Sequence, residues 1–171
     1  MYEGAGGAVE LAVPPIARML LHADGSTTRL LEALLGQRVS LEVVEQQATL
    51  AATLAAEVRA ALGCGAADEV VYRRSRLCAA DGTVVSSNEV IVVCREPEIA
   101  RLLTDPVIPI GPALAAASRH LGRVLLATGW DIWPLSEADQ CVYKQYLLLD
   151  SASVPVAHIR ERFNPVFVPV A

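Results

Sequence analysis

Hydrophobic and polar positions in the first part of this chain recur at helical spacing. Residues 14–24, PPIARMLLHAD, begin with two prolines and continue with spaced apolar residues, which predicts a short helix. A second predicted helix follows, with Asp24 and Ser26 as candidate N-caps, a stripe of leucines, and Gly36 at its end. Two consecutive helices are therefore expected here.

The next segments alternate between strand and helix patterns. Residues 38–46 alternate in polarity as a strand does, and residues 50–62 place leucine and valine on one helical stripe. Residues 69–78 and 83–94 have strand patterns and are joined by the turn 79–82, AADG. Two such strands around a short turn predict a β-hairpin.

The remaining segments predict two more helices and a second hairpin. Residues 97–105 suit a short helix, and residues 109–129 suit a longer helix that begins near Gly111. Residues 141–163 have the pattern of a final hairpin, with its turn at 150–153. Helices followed by mostly adjacent strands predict an α+β fold, in which helices pack against an antiparallel β-sheet.

Length and composition fit a single domain over residues 1–171. Hydrophobic residues make up 53% of the chain but aromatic residues only 5%, so alanine, valine and leucine must form most of the core. The net charge is -5 and no basic stripe alternates with aromatic residues, so we expect no nucleic-acid partner. The first residues lack the basic start of a signal peptide and no apolar run is long enough to span a membrane. We therefore expect a cytoplasmic protein without a membrane partner.

The cysteines and histidines predict neither a metal site nor a cofactor. The cysteines form no C-x-x-C pair and the histidines do not cluster, so free buried thiols are expected. The cysteines are Cys64, Cys78, Cys94 and Cys141, and the histidines are His22, His120 and His158. Nucleotide-binding and serine-nucleophile motifs are also absent from the sequence. The sequence does not define an oligomeric state.

Glu161 occupies an unexpected position in the last predicted strand. Alternation over residues 156–165, VAHIRERFNP, places Glu161 on the same face as Ile159 and Phe163, with His158 on the opposite, outward face. An unpaired buried carboxylate costs several kcal/mol. Glu161 is therefore either the partner of a neighbouring arginine or part of a functional site.

An arginine of the first hairpin is the candidate partner of Glu161 across a pocket. Arg73 is the single charge among apolar and small residues on one strand face, whereas Arg74 lies on the other face, which has a more solvated pattern. Because a β-bulge would exchange the two faces, both arginines remain candidates. Asn88 and Glu89, in the second strand of the hairpin, are further candidates for either a pocket or a structural role.

Two predicted helix starts add groups that could bind an anion. Ser26 and Thr27 lie at one start, and Ile110 and Gly111 lie at the other. Free backbone N–H groups and the helix dipole favour negative charge at such positions. Together with one arginine and one inward carboxylate, they would suit a small anionic ligand with an apolar body in a closed pocket.

The order and spacing of these segments resemble the chorismate pyruvate-lyase family, including its broader uncharacterised branch. In order and approximate spacing the match covers His22 to Pro165. The matching segments are LLHADGSTTRLLEALLGQRVSLEVVEQ, RLCAADG, PIGPAL and VPVAHIRERFNP. The most specific part is the closing Pro-x5-Glu-x-Phe-x-Pro pattern, formed by Pro155, Glu161, Phe163 and Pro165.

The resemblance implies a chorismate lyase-like fold and an enzyme that converts chorismate to 4-hydroxybenzoate and pyruvate without cofactor or metal. It places the family's catalytic glutamate at Glu161, as the proton-transfer group. The carboxylate-binding arginine falls at Arg73, or at Arg74 if the segments are aligned without a gap. Backbone contacts to the ligand carboxylate fall at Ile110 and Ser26.

Departures from the family pattern support two other hypotheses. Ser26 replaces a bulkier apolar residue, and a second pocket arginine is replaced near Glu89. The first alternative is an enzyme of specialised metabolism that catalyses another elimination or a cyclisation, for example of a polyketide, in the same pocket. The second is a non-catalytic effector-binding module, since ligand domains of one group of transcription regulators share this scaffold. The lack of a helix-turn-helix segment counts against the second.

Overall fold

A computed structural model describes residues 13–170 of the chain. Residues 1–12, on which the expectation of no signal peptide partly rests, and residue 171 lie outside the described residues. The strands are β1 (Ser40–Leu50), β2 (Glu69–Cys78), β3 (Val84–Val93), β4 (Gly122–Ile132), β5 (Gln140–Leu149) and β6 (Pro155–Phe163). The helices are α1 (Pro15–His22), α2 (Thr27–Leu35), α3 (Ala56–Leu62), α4 (Pro97–Leu103) and α5 (Ile110–Ala116).

The six strands form one sheet in the order β1-β2-β3-β6-β5-β4. Every neighbouring pair is antiparallel. The last strand, β6, therefore lies in the interior of the sheet between β3 and β5, while β1 and β4 form its two edges. Helices packed on an antiparallel sheet confirm the predicted α+β class.

The predicted helix over residues 50–62 is wrong in its first half. β1 continues to Leu50, which pairs with Glu69 of β2, and α3 begins only at Ala56. Between them lies a 3-10 turn, Ala51–Thr53, which is held in place because Ala51 N donates to Asp68 O over 2.9 Å. Leu50 fits the apolar stripe of a helix and the end of a strand equally well, so spacing alone did not distinguish the two.

The predicted helix over residues 109–129 is a helix only at its start. α5 ends at Ala116, Ser118 adopts a positive φ of 52°, and β4 then begins at Gly122. The apolar run in β4 has no clear period, and such a run fits a strand as well as a helix. The fold therefore gains a sixth strand that the sequence did not predict.

Two groups of helices cover the face of the sheet that carries Glu161, called here the inner face. In one core cluster, Leu20 of α1 and Leu31 of α2 pack with Phe163. In the other, Leu103 of α4 packs with Ile159. Because Ile159, Glu161 and Phe163 alternate along β6, Glu161 lies between the two clusters.

The opposite face of the sheet is only partly covered. α3 packs there, with Leu62 against Val70 and Ile91 in a third cluster. His158, expected on an exposed face, is buried because β6 is an interior strand, and its Nε2 lies 2.7 Å from Gln145 Nε2. None of the helices within residues 13–170 is long and apolar enough to cross a membrane.

Candidate functional site

A row of polar side chains crosses the inner face of the sheet. Ser75, Asn88, Glu161, Lys144 and Thr128 are each directly opposite the next on neighbouring strands. Residues that face one another in antiparallel strands point to the same side of the sheet. All of these residues except Thr128 are buried, so the fold concentrates hydrogen-bonding groups where an apolar core would otherwise continue.

Glu161 is held by one partner inside this row and by another from a helix. Thr27 Oγ1, at the start of α2, donates to Glu161 Oε2 over 2.9 Å, and Lys144 Nζ lies 3.6 Å from the same oxygen. Lys144 Nζ also donates to Leu20 O over 3.0 Å and lies 3.5 Å from Ala23 O. The buried carboxylate therefore has a lysine partner, where an arginine was expected, and the pair is tied to the end of α1.

Burial changes the protonation behaviour of the groups around this pair. Burial lowers the pKa of Lys144, and the nearby Glu161 carboxylate partly offsets that effect. Burial raises the pKa of Tyr146 well above its usual value, and Glu161 raises it further. The Tyr146 ring also lies near two cations, with Lys144 Nζ at 5.3 Å and Arg123 Cζ at 5.5 Å from its centre. Tyr146 is therefore a neutral phenol at physiological pH.

Arg73 lies on β2 with only 1% of its surface exposed. Its Nη1 donates to the backbone carbonyls of Leu103 and Asp105, over 3.2 and 2.9 Å. Its Nε has no hydrogen-bond partner among the described residues. Burial lowers the pKa of Arg73, and Asp105 partly offsets this. Arg73 donates to carbonyls rather than to Glu161, so the expected pairing of these two residues is not formed.

A small cavity of about 40 Å³ lies between the polar row and the helices. Its walls come from β2, β3, β5 and β6, from the start of α2, and from the segment that leads into α5. The polar and small residues that line it are Ser26, Thr27, Thr28, Arg73, Ser75, Asn88, Gly111, Arg123, Tyr146 and Glu161. The volume holds a few water molecules, whereas drug-sized ligands occupy about 300 Å³ or more. A ligand here must be compact, or the walls must move.

The starts of α2 and α5 meet at one wall of this cavity. Ser26 caps α2 by accepting a hydrogen bond from Arg29 N at 3.4 Å. A Cβ atom at Gly111, in the first turn of α5, would collide with Ser26 Oγ. Gly111 is therefore required by the close approach of the two helix starts.

Most of the candidate residues from the sequence line this one cavity. They are Arg73, Glu161, Ser26, Thr27, Ile110, Gly111 and Asn88. Arg74 and Glu89 lie on the other side of the sheet, where Arg74 forms an exposed ion pair and Glu89 a partly buried one. Arg74 Nη2 is 2.8 Å from Glu45 Oε2, and Glu89 Oε1 is 2.6 Å from Arg162 Nη1. This placement agrees with the choice of Arg73 over Arg74 as the inward arginine, and of the two roles left open for Glu89 it agrees with the structural one.

Sequence reasoning missed Lys144, Tyr146 and Arg123. The first two lie on β5, which pairs with β6. Alternation along this strand places Lys144 on the same face as Val142 and Leu148, a lone charge among apolar residues. The same pattern had singled out Glu161, so applying it to β5 would have found Lys144.

Comparison with known proteins identifies the fold. No protein-family model and no curated protein matches the sequence. The chain is similar to the crystal structure of PhnF from Mycobacterium smegmatis, with 16% identity, a TM-score of 0.66, and coverage of 86% of this chain and 67% of that one. It is also similar to the effector domain of the same PhnF, with 16% identity, a TM-score of 0.59, and coverage of 82% and 88%. A GntR-family transcriptional regulator from Bacillus cereus matches at 13% identity and a TM-score of 0.55, over 75% and 92% of the two chains.

These similarities confirm the predicted chorismate lyase-like fold and overturn the predicted activity. The similar structures include effector and ligand-binding domains of GntR-family regulators, which have this fold. Several of them are described as transcriptional regulators or as ligand-binding domains of such regulators, so the expectation of a lyase that forms 4-hydroxybenzoate and pyruvate is wrong. The similar structures give no support to the alternative of an enzyme that catalyses another elimination or a cyclisation, and they favour the effector-binding alternative. Membership of the lyase family is not confirmed.

Proposed function

We propose that this chain is a non-catalytic effector-binding domain whose ligand is a compact molecule with an anionic group. The observation that carries the proposal is the state of Arg73. A guanidinium that is 1% exposed, lacks a carboxylate partner among the described residues, and has a free Nε donor is costly in a closed core. A bound anion would supply the missing charge and accept the free hydrogen bond.

The charge of the cavity favours an anionic ligand over a cationic or neutral one. Arg73 and Arg123 both line it, while Glu161, the one carboxylate that residues 13–170 contribute to the lining, is already balanced by Lys144. The start of α2, a helix of nine residues, faces the same space and adds the positive end of its dipole. An anion bound near Arg73 would therefore be stabilised from two sides.

The rest of the ligand is expected to carry a hydrogen-bond donor. Asn88 is buried, lines the cavity, and its Oδ1 accepts no hydrogen bond from the described residues. Glu161 is directly opposite Asn88 and already interacts with Thr27, Lys144 and Tyr146. A hydroxyl or amino group of the ligand would satisfy Asn88 Oδ1, because a buried acceptor without a partner costs about 1 to 3 kcal/mol.

The regulator domains with this fold support a role in sensing rather than in chemistry. In this proposal the chain binds the small molecule, and its net charge of -5 does not suit contact with nucleic acid. Binding of the ligand in the cavity would be transmitted to the helices through the side chains that contact both. Arg73 bonds to the carbonyl at the end of α4, and Lys144 bonds to carbonyls at the end of α1.

A titration with matched small molecules tests the proposal. Acetate, lactate and inorganic phosphate serve as anionic probes, and acetamide serves as the neutral probe of similar size. Isothermal titration should show that the wild-type protein binds at least one anion and not acetamide. Arg73→Met should weaken binding of that anion at least tenfold, the usual scale for losing a charge-assisted contact.

The matched control is Arg74→Met, on the neighbouring residue that points to the other face of the sheet. This variant should bind the anion as the wild type does. If none of the probes binds the wild type, or if both arginine variants bind equally well, the cavity is not the anion site.

A further inference from the structure

A row of apolar side chains, called here the apolar row, lies beside the polar row on the inner face of the sheet. Val90, Ile159 and Tyr146 are each directly opposite the next on β3, β6 and β5. All three are at most 5% exposed, and all three line the cavity. Because residues that face one another in antiparallel strands point to the same side of the sheet, these side chains form a continuous apolar strip along one wall of the cavity.

An arginine lies at each end of the apolar row. Arg73 is directly opposite Val90 on β2. At the other end, Arg123 of β4 has its Cζ 5.5 Å from the centre of the Tyr146 ring. Both arginines line the cavity, and neither has a carboxylate within ion-pair distance among the described residues. The cavity therefore has a cation at both ends of an apolar wall.

Both charges remain available to a ligand. Arg123 Nη1 donates to Asp24 O over 2.9 Å, and a backbone carbonyl carries no net charge. Asp105 offsets part of the positive charge of Arg73, but it does not line the cavity, and its Oδ1 accepts from two backbone N–H groups of its own loop. Arg73 is 1% exposed and Arg123 is half-buried, so the cavity leads from a deep cation to one nearer the surface.

We infer that the ligand carries an acidic group at each end of an apolar body, with one group bound to Arg73 and the other to Arg123. This inference rests on the proposed function and names its class of ligand, a slim dianion such as a dicarboxylate. The body packs on the apolar row, which is desolvated in any case, and each acidic group gains a charge-assisted contact.

The sheet limits the length of such a ligand. From Arg73 on β2 to Tyr146 on β5 there are three steps between neighbouring strands, or about 14 Å at about 4.8 Å a step. The arginine side chains and their contacts take up part of this distance, so a short carbon chain separates the two acidic groups. Ile110, at the start of α5, packs against the core cluster that contains the apolar row. The body of the ligand therefore enters by displacing Ile110, which a slim chain does more easily than a broad one.

A series of dicarboxylates from malonate to azelate tests the inference by isothermal titration of the full chain. Each is compared with the straight-chain monocarboxylate of the same carbon number, for example glutarate with pentanoate. At one intermediate length the dicarboxylate should bind about tenfold or more tightly than its monocarboxylate, the scale of one added charge-assisted contact. The gain should fall for shorter and for longer chains, because only one spacing reaches both arginines.

Arg123→Met should remove this gain and leave the affinity for the monocarboxylate unchanged. The matched control is Arg119→Met, in the turn before β4. Arg119 pairs with Glu96 at 3.7 Å and does not line the cavity, so this variant should retain the gain. The chain-length series needs no variant, so it tests the inference even if Arg123→Met lowers the melting temperature.

The possible failures separate this inference from the proposed function. If the monocarboxylates bind through Arg73 and no dicarboxylate binds more tightly, the proposed function stands and the second acidic group is ruled out. A gain that persists in Arg123→Met, or that is the same at every chain length, would also overturn the inference. If neither monocarboxylates nor dicarboxylates bind the wild type, both proposals fail.

Discussion

Lys144 and Glu161 face each other on β5 and β6 and form a buried ion pair, with Nζ and Oε2 3.6 Å apart. The pair stands in the polar row next to Asn88, which is directly opposite Glu161 on β3. Thr27 and the carbonyl of Leu20 complete its hydrogen bonds. The arrangement neutralises the one carboxylate that the described residues place in the cavity wall, which leaves Arg73 and Arg123 there without a carboxylate in ion-pair contact.

Removing one member of this pair should strongly destabilise the protein. Glu161→Ala leaves the Lys144 ammonium buried without its partner, which costs about 3 to 5 kcal/mol of unfolding free energy. The double variant Lys144→Met with Glu161→Met should recover much of that loss, because it removes both charges and fills the volume. Urea unfolding of the three proteins measures the difference.

An exposed ion pair provides the control for this prediction. Glu45 and Arg74 form a pair of 2.8 Å whose side chains are 36% and 52% exposed. Exposed pairs contribute about 1 kcal/mol or less, so Glu45→Ala should barely change stability. Equal losses for Glu45→Ala and Glu161→Ala would show that the Lys144–Glu161 contact does not stabilise the fold.

Replacing Arg73 should have the opposite effect on stability. Its guanidinium is buried beside carbonyl groups without a carboxylate. Methionine has a similar length and no charge to desolvate, so Arg73→Met should match or exceed the wild-type melting temperature. If Arg73→Met is at least as stable as the wild type but no longer binds the anion, the role of Arg73 is binding rather than stability. A large fall in melting temperature would instead make Arg73 a structural residue.

The sequence predicted which side chains point to the inner face better than it predicted which of them interact. Alternation in β2 and β6 correctly placed Arg73 and Glu161 towards the interior, because a period of two depends only on local geometry. It could not show which residues are neighbours across the sheet. That information depends on β6 lying between β3 and β5, and this order put Lys144, rather than Arg73, opposite Glu161.

The missed strand β4 explains the remaining errors in the fold. Its apolar run has no period that separates strand from helix, and only pairing with β5 makes it a strand. With β4 predicted as a helix, neither the position of Arg123 at the cavity nor the strand at this edge of the sheet could be predicted. The activity was misjudged for a different reason, because a fold shared by enzymes and regulators does not define chemistry.

Gly111 should be intolerant of even the smallest side chain. A Cβ atom there would collide with Ser26 Oγ, so Gly111→Ala must either rotate the Ser26 side chain out of its capping position or displace α5 from the start of α2. Overpacking of this kind costs about 1 to 3 kcal/mol. Adding Ser26→Gly to the same protein should recover part of the loss by removing the atoms that collide. Thermal unfolding measures both variants.

Gly25 is a suitable control for that substitution. It is near the same helix start, but a Cβ atom at Gly25 would meet nothing within 4 Å, and its φ is not positive. Gly25→Ala should therefore leave the melting temperature close to that of the wild type. If Gly25→Ala and Gly111→Ala behave alike, the contact between the two helix starts is not tight.

His158 should make the protein less stable in mild acid. Burial lowers the pKa of His158 from its ordinary value of 6.5, and Arg160 lowers it further. Below pH 6.5 the unfolded chain therefore binds a proton that the folded protein does not, so acidification favours unfolding. One such proton changes the unfolding free energy by at most about 1.4 kcal/mol per pH unit. The pKa of Asp131 is already lowered from 3.8, so its stabilising effect is lost only at more acidic pH.

Urea unfolding between pH 7 and pH 5 measures this dependence. The wild type should lose stability as the pH falls, and His158→Gln, which has no titrating ring, should lose less. His120→Gln removes an exposed histidine and should retain the wild-type slope. If the wild type and His158→Gln have the same slope, His158 takes up its proton as readily in the folded protein as in the unfolded chain. That result would contradict its burial beside Gln145.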